Sequence, residues 1–250
     1  MRPVIVIRHE DPDNLGLGKD VLTAAGLRVE YFDIWRGGNL PPAGGAAAVV
    51  LLGGSMGVGD RDRFPFLAPE RDLVRECLRQ DVPLLGLCLG AQLLADASDG
   101  CVMRAPRRSI GFLPVAKTDL AASDLLFKGW CATDRVLRWH EDTFTLPPGA
   151  ELLMAAEDVP NQAFRVGKCA WGVQFHMELD RPLLDAWIES SSDSLRAVWK
   201  TDPQDLLDGA AAWLSHQQTH ARETFSAFAE VVQRRERAQR PGLSSHRVEE

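Results

Sequence analysis

No stretch of this 250-residue chain is apolar for the length that a membrane-spanning helix needs. The N-terminus also lacks the apolar segment and small-residue cleavage site of a secretory leader, and runs directly into the strand-like Pro3-Val4-Ile5-Val6-Ile7. A cytoplasmic protein without a membrane partner is expected. Basic residues are outnumbered, 28 against 35 acidic ones, and the formal net charge of −7 argues against nucleic acid as the main partner. The five cysteines (Cys77, Cys88, Cys101, Cys131 and Cys169) are odd in number, widely spaced and free of any C-x-x-C pair. That spacing fits neither a disulfide framework nor a zinc site. Four of the five are expected to pack as small apolar residues. Phosphate-binding loops are present only as fragments. Gly53 to Gly59 lacks the Gly-Lys-Ser/Thr ending and does not match G-x-G-x-x-G, and Gly16-Leu17-Gly18-Lys19 is shorter still. No internal repeat is seen.

What is present reads as strands alternating with helices. Pro3–Arg8, Leu27–Phe32, Ala46–Leu52 and Val82–Leu87 are short apolar runs. Leu15–Ala25, Leu67–Arg79 and Ala91–Ala97 carry helical spacing between and after them. This order, without two-residue hairpin signals, predicts an α/β fold with a parallel sheet covered on both faces. Ser109–Ala116, Arg135–Trp139, Leu152–Ala155, Gln162–Val166 and Ala170–Phe175 predict a β-rich, partly antiparallel second half. A helix begins near Pro182. From Gln204 to about Arg237 the pattern is one or two helices, packed on the core or on a partner chain. The charged end from Arg234, with Pro241-Gly242, reads as a frayed tail, and Arg234 to Arg237 as a solvated helix face rather than a basic patch.

The most informative segment is Gly86-Leu87-Cys88-Leu89-Gly90, at the switch from strand to helix. It is a G-x-C-x-G form of the nucleophile elbow. The bend projects the central side chain from the top of the sheet, and the flanking glycines leave it room. The helix N-terminus offers free N–H groups and partial positive charge, which favour a thiolate. Cys88 is therefore the candidate nucleophile. A thiolate nucleophile needs a base, and the base an orienting group. Among six histidines, His176 ends the run Trp171 to Phe175, and Glu178 follows two residues later. In extended chain, residues two apart share a side, so Glu178 can hold the His176 ring while its other nitrogen faces Cys88. An oxyanion hole is also required. The N–H of Leu89 and the glycine loop Gly53-Gly54-Ser55-Met56-Gly57 are positioned to supply it.

These three motifs, in this order, resemble the class I (triad-type) glutamine amidotransferases over about residues 1–190, and most nearly the stand-alone GMP-synthase-like subgroup. Trp139 to Phe144, Leu146 to Ala150 and Asn161 to Phe164 resemble that subgroup as well. The resemblance implies a flavodoxin-like three-layer α/β sandwich. It implies Cys88 as nucleophile, His176 as base and acid, Glu178 as orienting carboxylate, and Gly54 and Leu89 N–H as the oxyanion hole. Gln92 would help to hold the γ-glutamyl group. His140 and Asp142 are substrate-pocket candidates, although Glu141 stands where the family has glycine. Met177 replaces the proline usual between the histidine and glutamate, which frees the local backbone.

The activity so implied is hydrolysis of glutamine to glutamate and ammonia through a Cys88 thioester, needing no metal or organic cofactor. The chain carries no motif for an ATP-using synthetase, so a separate synthetase chain is the expected recipient of the ammonia. Two alternatives keep the same scaffold: hydrolysis of γ-glutamyl peptides or conjugates, and an idle binding module. A flavodoxin-like chaperone or peptidase would instead place Cys88 far from His176. The expected domain plan is 1–190 for the amidotransferase-like unit, 191–236 for a helical extension and 237–250 for a flexible tail. The extension's apolar positions also admit a homo-oligomer.

Overall fold

A computed structural model describes residues 2–239. Its centre is one nine-stranded sheet in the order β2-β1-β3-β4-β9-β8-β7-β5-β6. The parallel half comprises β1 (Val4–Arg8), β2 (Val29–Asp33), β3 (Ala48–Leu51), β4 (Leu84–Leu87) and β9 (Ala170–Val173). The antiparallel half comprises β5 (Val102–Lys117), β6 (Thr133–Phe144), β7 (Glu151–Ala155) and β8 (Ala163–Val166). The helices are α1 (Leu17–Ala24), α2 (Leu67–Arg79), α3 (Leu89–Ala97), α4 (Arg181–Ser190), the short turn α5 (Ser192–Ser194) and α6 (Pro203–Ala238).

Alternation along the buried strands sorts the core into two layers. Val4, Val6, Val50, Leu85 and Leu87 pack with Phe225 and Phe228 of α6, beside α1. Ile5, Ile7, Val49, Leu51 and Leu84 face α2 and α3. The result is the three-layer flavodoxin-like sandwich. The C-terminal helix is part of it. Leu206, Ala210, Leu214, Ala221, Phe225, Phe228, Ala229 and Val232 are all buried against this chain's own core. At the crossing of α1 and α6, Gly18 is required, because a Cβ there would lie 2.6 Å from the Phe225 ring.

Residues 204–237, expected as one or two helices, form one. Two expectations are corrected. The frayed end does not begin at Arg234, because α6 continues to Ala238 and buried Glu236 accepts a hydrogen bond from Arg2 Nε at 2.9 Å. The rest of the expected tail, 240–250, lies outside the described residues. Cys77 is buried and Cys169 partly so, but Cys101 and Cys131 are exposed. These two sit in the connections that precede β5 and β6, where the chain turns at the surface.

Candidate active site

The site forms beyond the carboxyl ends of the parallel strands, where open α/β sheets gather ligands. Cys88 follows β4 directly and caps α3 with φ 52° and ψ −105°, a conformation that non-glycine residues rarely adopt. Its neighbours make that bend possible. A Cβ on Gly86 would collide with the Gly90 carbonyl, and one on Gly90 with the Leu51 carbonyl. The Cys88 N–H donates to Val173 O at 2.8 Å, which ties the elbow to β9.

The chain after β9 brings in His176 and Glu178. His176 Nδ1 donates to Glu178 Oε1 at 2.8 Å, and both side chains are buried. The other ring nitrogen is left for Cys88: a Cβ on Gly53 would lie 3.2 Å from His176 Cε1 and 3.6 Å from Cys88 Cβ, so ring and thiol stand side by side. Burial opposes a charge on His176. The Glu178 carboxylate and the Cys88 sulfur together outweigh that, and the ring's pKa is raised well above its ordinary value. The freedom expected from Met177 is taken up elsewhere. Met177 is fully buried, and the His176 backbone is clamped on both sides. Its N–H donates to Leu137 O at 2.9 Å, and its carbonyl accepts from Gln217 Nε2 at 2.8 Å.

Gly54 and Leu89 line the same cavity as Cys88 and His176. A Cβ on Gly54 would lie 3.1 Å from Leu89 Cδ2, so the glycine packs against the Leu89 side chain. Among the described residues neither N–H has a backbone acceptor. Gln92 is buried at the cavity wall, and its Nε2 donates to Gln174 Oε1 at 3.2 Å. Gln174 Nε2 in turn reaches Cys88 Sγ at 3.7 Å. His140 Nδ1 donates to the Asp142 carbonyl at 2.9 Å, and burial drives its pKa down to about 4, which leaves a neutral ring. Its Nε2 is buried without a partner. The Asp142 carboxylate faces the glycine loop, 3.0 Å from where a Gly57 Cβ would lie. Burial raises its pKa, against the pull of Arg104.

Several residues here were not singled out from sequence. His9 closes β1 and is fully buried. Its Nδ1 donates to Gly53 O at 2.7 Å and its Nε2 to Glu70 at 2.9 Å. Burial opposes its charge, but Glu70 and the Gly53 carbonyl outweigh that and raise its pKa. The pair anchors the base of the glycine loop. Asp13, under Trp187 Nε1 at 2.8 Å, has its pKa pushed up to about 6 by burial and by Glu10, against the opposing pull of His176 and Trp187. Trp187 meets the His176 ring edge-on at 4.7 Å, and Trp139 meets both Trp187 and Trp199. The segment after residue 190 therefore contributes Ser191, Ser194 and Trp199 to the cavity wall. The signals were present but faint: Glu70 is a polar residue on an otherwise apolar helix stripe, Gln217 is one of several polar residues on the buried stripe of α6, and His9 lies at a parallel strand's carboxyl end.

A thiol on an elbow, an imidazole oriented by a carboxylate and two free N–H groups form a set able to carry out acyl transfer. Comparison with known proteins agrees with that chemistry. The family model for glutamine amidotransferase class-I matches residues 29–185. The chain belongs to the class I glutamine amidotransferases. Within that family it is 36% identical over 154 residues to a GMP synthase [glutamine-hydrolyzing] of Porphyromonas gingivalis, covering 60% of this chain and 28% of that protein. It thus spans less than a third of that relative's length. It is 26% identical over 191 residues to the glutamine amidotransferase-like protein YfeJ of Salmonella typhimurium, covering 75% of this chain and 80% of YfeJ. The crystal structure of a glutamine amidotransferase from Thermotoga maritima superimposes with a TM-score of 0.84 at 33% identity, over 92% of this chain and 98% of that one. These matches account for the fold. Among the described residues no helix is long and apolar enough to cross a membrane.

Proposed function

We propose that this protein hydrolyses the γ-carboxamide of glutamine through a Cys88 thioester. The observation that carries the reading is the convergence of Cys88, His176 and Glu178 with the Gly54 and Leu89 N–H groups at one cavity. Cys88 Sγ attacks the amide carbon, and the carbonyl oxygen takes the developing charge against the Gly54 and Leu89 N–H groups. His176, held in one tautomer by Glu178, gives its Nε2 proton to the departing ammonia. It then takes a proton from the water that attacks the thioester, and glutamate leaves. Gln92, bonded to the Gln174 that reaches the sulfur, lines the pocket, as do His140 and Asp142. The ammonia passes to an acceptor outside these 250 residues; the glutamine-hydrolysing name of the GMP synthase relatives favours a synthetase.

The cavity favours a second reading. It holds about 540 Å³, which is within the range of small-molecule sites. Glu10, Asp13, Asp60, Glu141 and Asp142 line it, against a single guanidinium, Arg104. Such a wall suits a γ-glutamyl conjugate whose leaving group carries an amine. Ammonia and glutamate release are to be followed together for wild type and Cys88→Ala, with glutamine and with γ-glutamyl amines. Ammonia from glutamine, lost in Cys88→Ala, supports the first reading. Glutamate from conjugates with little ammonia from glutamine supports the second. Release of neither product by reduced protein overturns both.

A further inference from the structure

The spacing of the cysteines gave no sign of a zinc site, yet the fold assembles a mixed set of donors away from the catalytic cavity. Cys131 and Asp134 stand at the start of β6. His216 and His220 stand one turn apart on α6. One donor atom from each of the four lies within 4.8 Å of every other. Cys131 Sγ is 3.6 Å from His220 Nε2, and His220 Nε2 is 3.7 Å from Asp134 Oδ1. Asp134 Oδ1 also accepts from His216 Nε2 at 2.6 Å, while Asp134 Oδ2 accepts from the Cys131 N–H at 3.0 Å.

We propose that Cys131, Asp134, His216 and His220 form a binding site for a divalent transition metal ion, with zinc as the preferred occupant. Thiolate, carboxylate and two imidazoles are the donors that zinc takes in tetrahedral sites. Bonds of about 2.0–2.3 Å set tetrahedral donor atoms roughly 3.3–3.8 Å apart. The Cys131–His220 and His220–Asp134 separations already meet this. The His216–Asp134 hydrogen bond at 2.6 Å must open, and the His216 side chain is 47% exposed and free to swing.

An ordinary ion pair pinning α6 to β6 would need His216 and Asp134 alone. It explains neither the thiol nor the second imidazole. The His220 side chain is 90% buried, stacked on Trp130 at 5.3 Å, with its Nε2 aimed into the cluster. Its Nδ1 is buried without a hydrogen-bond partner, and Glu223 Oε2 stands 3.8 Å away. A metal on Nε2 places the proton on Nδ1, and a carboxylate beside that proton is the usual support of a ligating histidine. Binding releases the Cys131 thiol proton to solvent, and both imidazoles stay neutral with their protons on the nitrogens turned away from the metal. Thiolate, carboxylate and Zn²⁺ then sum to zero charge, which suits a half-buried position.

The test is titration of the full chain with Zn²⁺ against a chromogenic chelator, and with Co²⁺ followed by absorption. A Cys88→Ala background keeps the catalytic thiol out of the reading. The expected result is one ion per chain with a thiolate-to-cobalt charge-transfer band. Cys131→Ser should abolish the band and weaken zinc at least tenfold. His220→Gln should weaken zinc comparably, and the zinc-induced rise in melting temperature should vanish in Cys131→Ser. Both Cys131 and His216 are exposed enough that Cys131→Ser and His216→Ala should leave the fold intact. Absence of stoichiometric binding, or binding that Cys131→Ser and His216→Ala leave unchanged, overturns the proposal.

Discussion

Glu178→Gln removes a single charge from behind the imidazole and nearly nothing else. In the structure Glu178 Oε1 accepts the His176 Nδ1 proton at 2.8 Å, with the two side chains 7% and 2% exposed. Glutamine keeps a carbonyl acceptor at the same reach. It loses the charge that assists the hydrogen bond and counters the burial of an imidazolium. Its amide can also rotate to present N–H₂, which forces the proton to Nε2 and leaves Cys88 facing a donor instead of a base. A hydrogen bond to a charged group is worth about 1.5–3 kcal/mol. At about 1.36 kcal/mol per decade, kcat should fall about 10- to 150-fold. Glu178 does not line the cavity, so KM should stay within about twofold. The measurement is steady-state ammonia release from glutamine. A stability readout follows from linkage. The His176 pKa is raised in the fold, so its contribution is full below the unfolded value near 6.5 and is lost as pH rises through the folded value. The stability gap between wild type and Glu178→Gln should therefore be wider at pH 6 than at pH 9. An unchanged kcat, or a loss expressed only in KM, refutes the reasoning.

Gly90→Ala drives a Cβ into the Leu51 carbonyl and should cost about 1–3 kcal/mol, read as a lower urea midpoint; Gly59→Ala, with nothing within 4 Å, should stay within about 0.5 kcal/mol. Gln217→Leu strands the Leu137 N–H and the His176 carbonyl, which Gln217 serves at 2.7 and 2.8 Å. At about 1–3 kcal/mol per orphaned buried group, stability and kcat should both fall, and an unchanged urea midpoint would count against the clamp. Asp13 binds a proton more tightly in the fold, at about 6 against 3.8, so stability declines as pH rises through that window and stays lower above it. Asp13→Asn, which can still accept from Trp187, should match wild type at pH 4 and exceed it at pH 8 by up to about 3 kcal/mol. Lower stability of Asp13→Asn at pH 8 would show that the charge is better served than its burial suggests.

The elbow was legible because its requirements are local. Two glycines and a strand-to-helix switch around Cys88 occupy five consecutive residues, and the observed φ of 52° is what those glycines accommodate. His176 and Glu178 were legible for the same reason, as neighbours in the chain. Helix α2 matched its expected bounds, Leu67–Arg79, because its apolar spacing is regular. The strand that carries His140 and Asp142 was read too short, at Arg135–Trp139 against Thr133–Phe144, because the polar run His140 to Thr143 interrupts the apolar alternation there.

The sequence by itself determined the alternating elements, the nucleophile elbow and the chemistry of the residues beside it, since turn geometry and periodicity act over a few residues. Tertiary structure alone decided which distant groups meet. Gln217 reaches back 41 residues to His176, His9 finds Glu70 61 residues on, and Cys131 meets His220 89 residues later. Those partners are selected by how the long C-terminal helix and the sheet pack. The free energy of that packing is spread over the whole core and leaves no short-range signature in the chain.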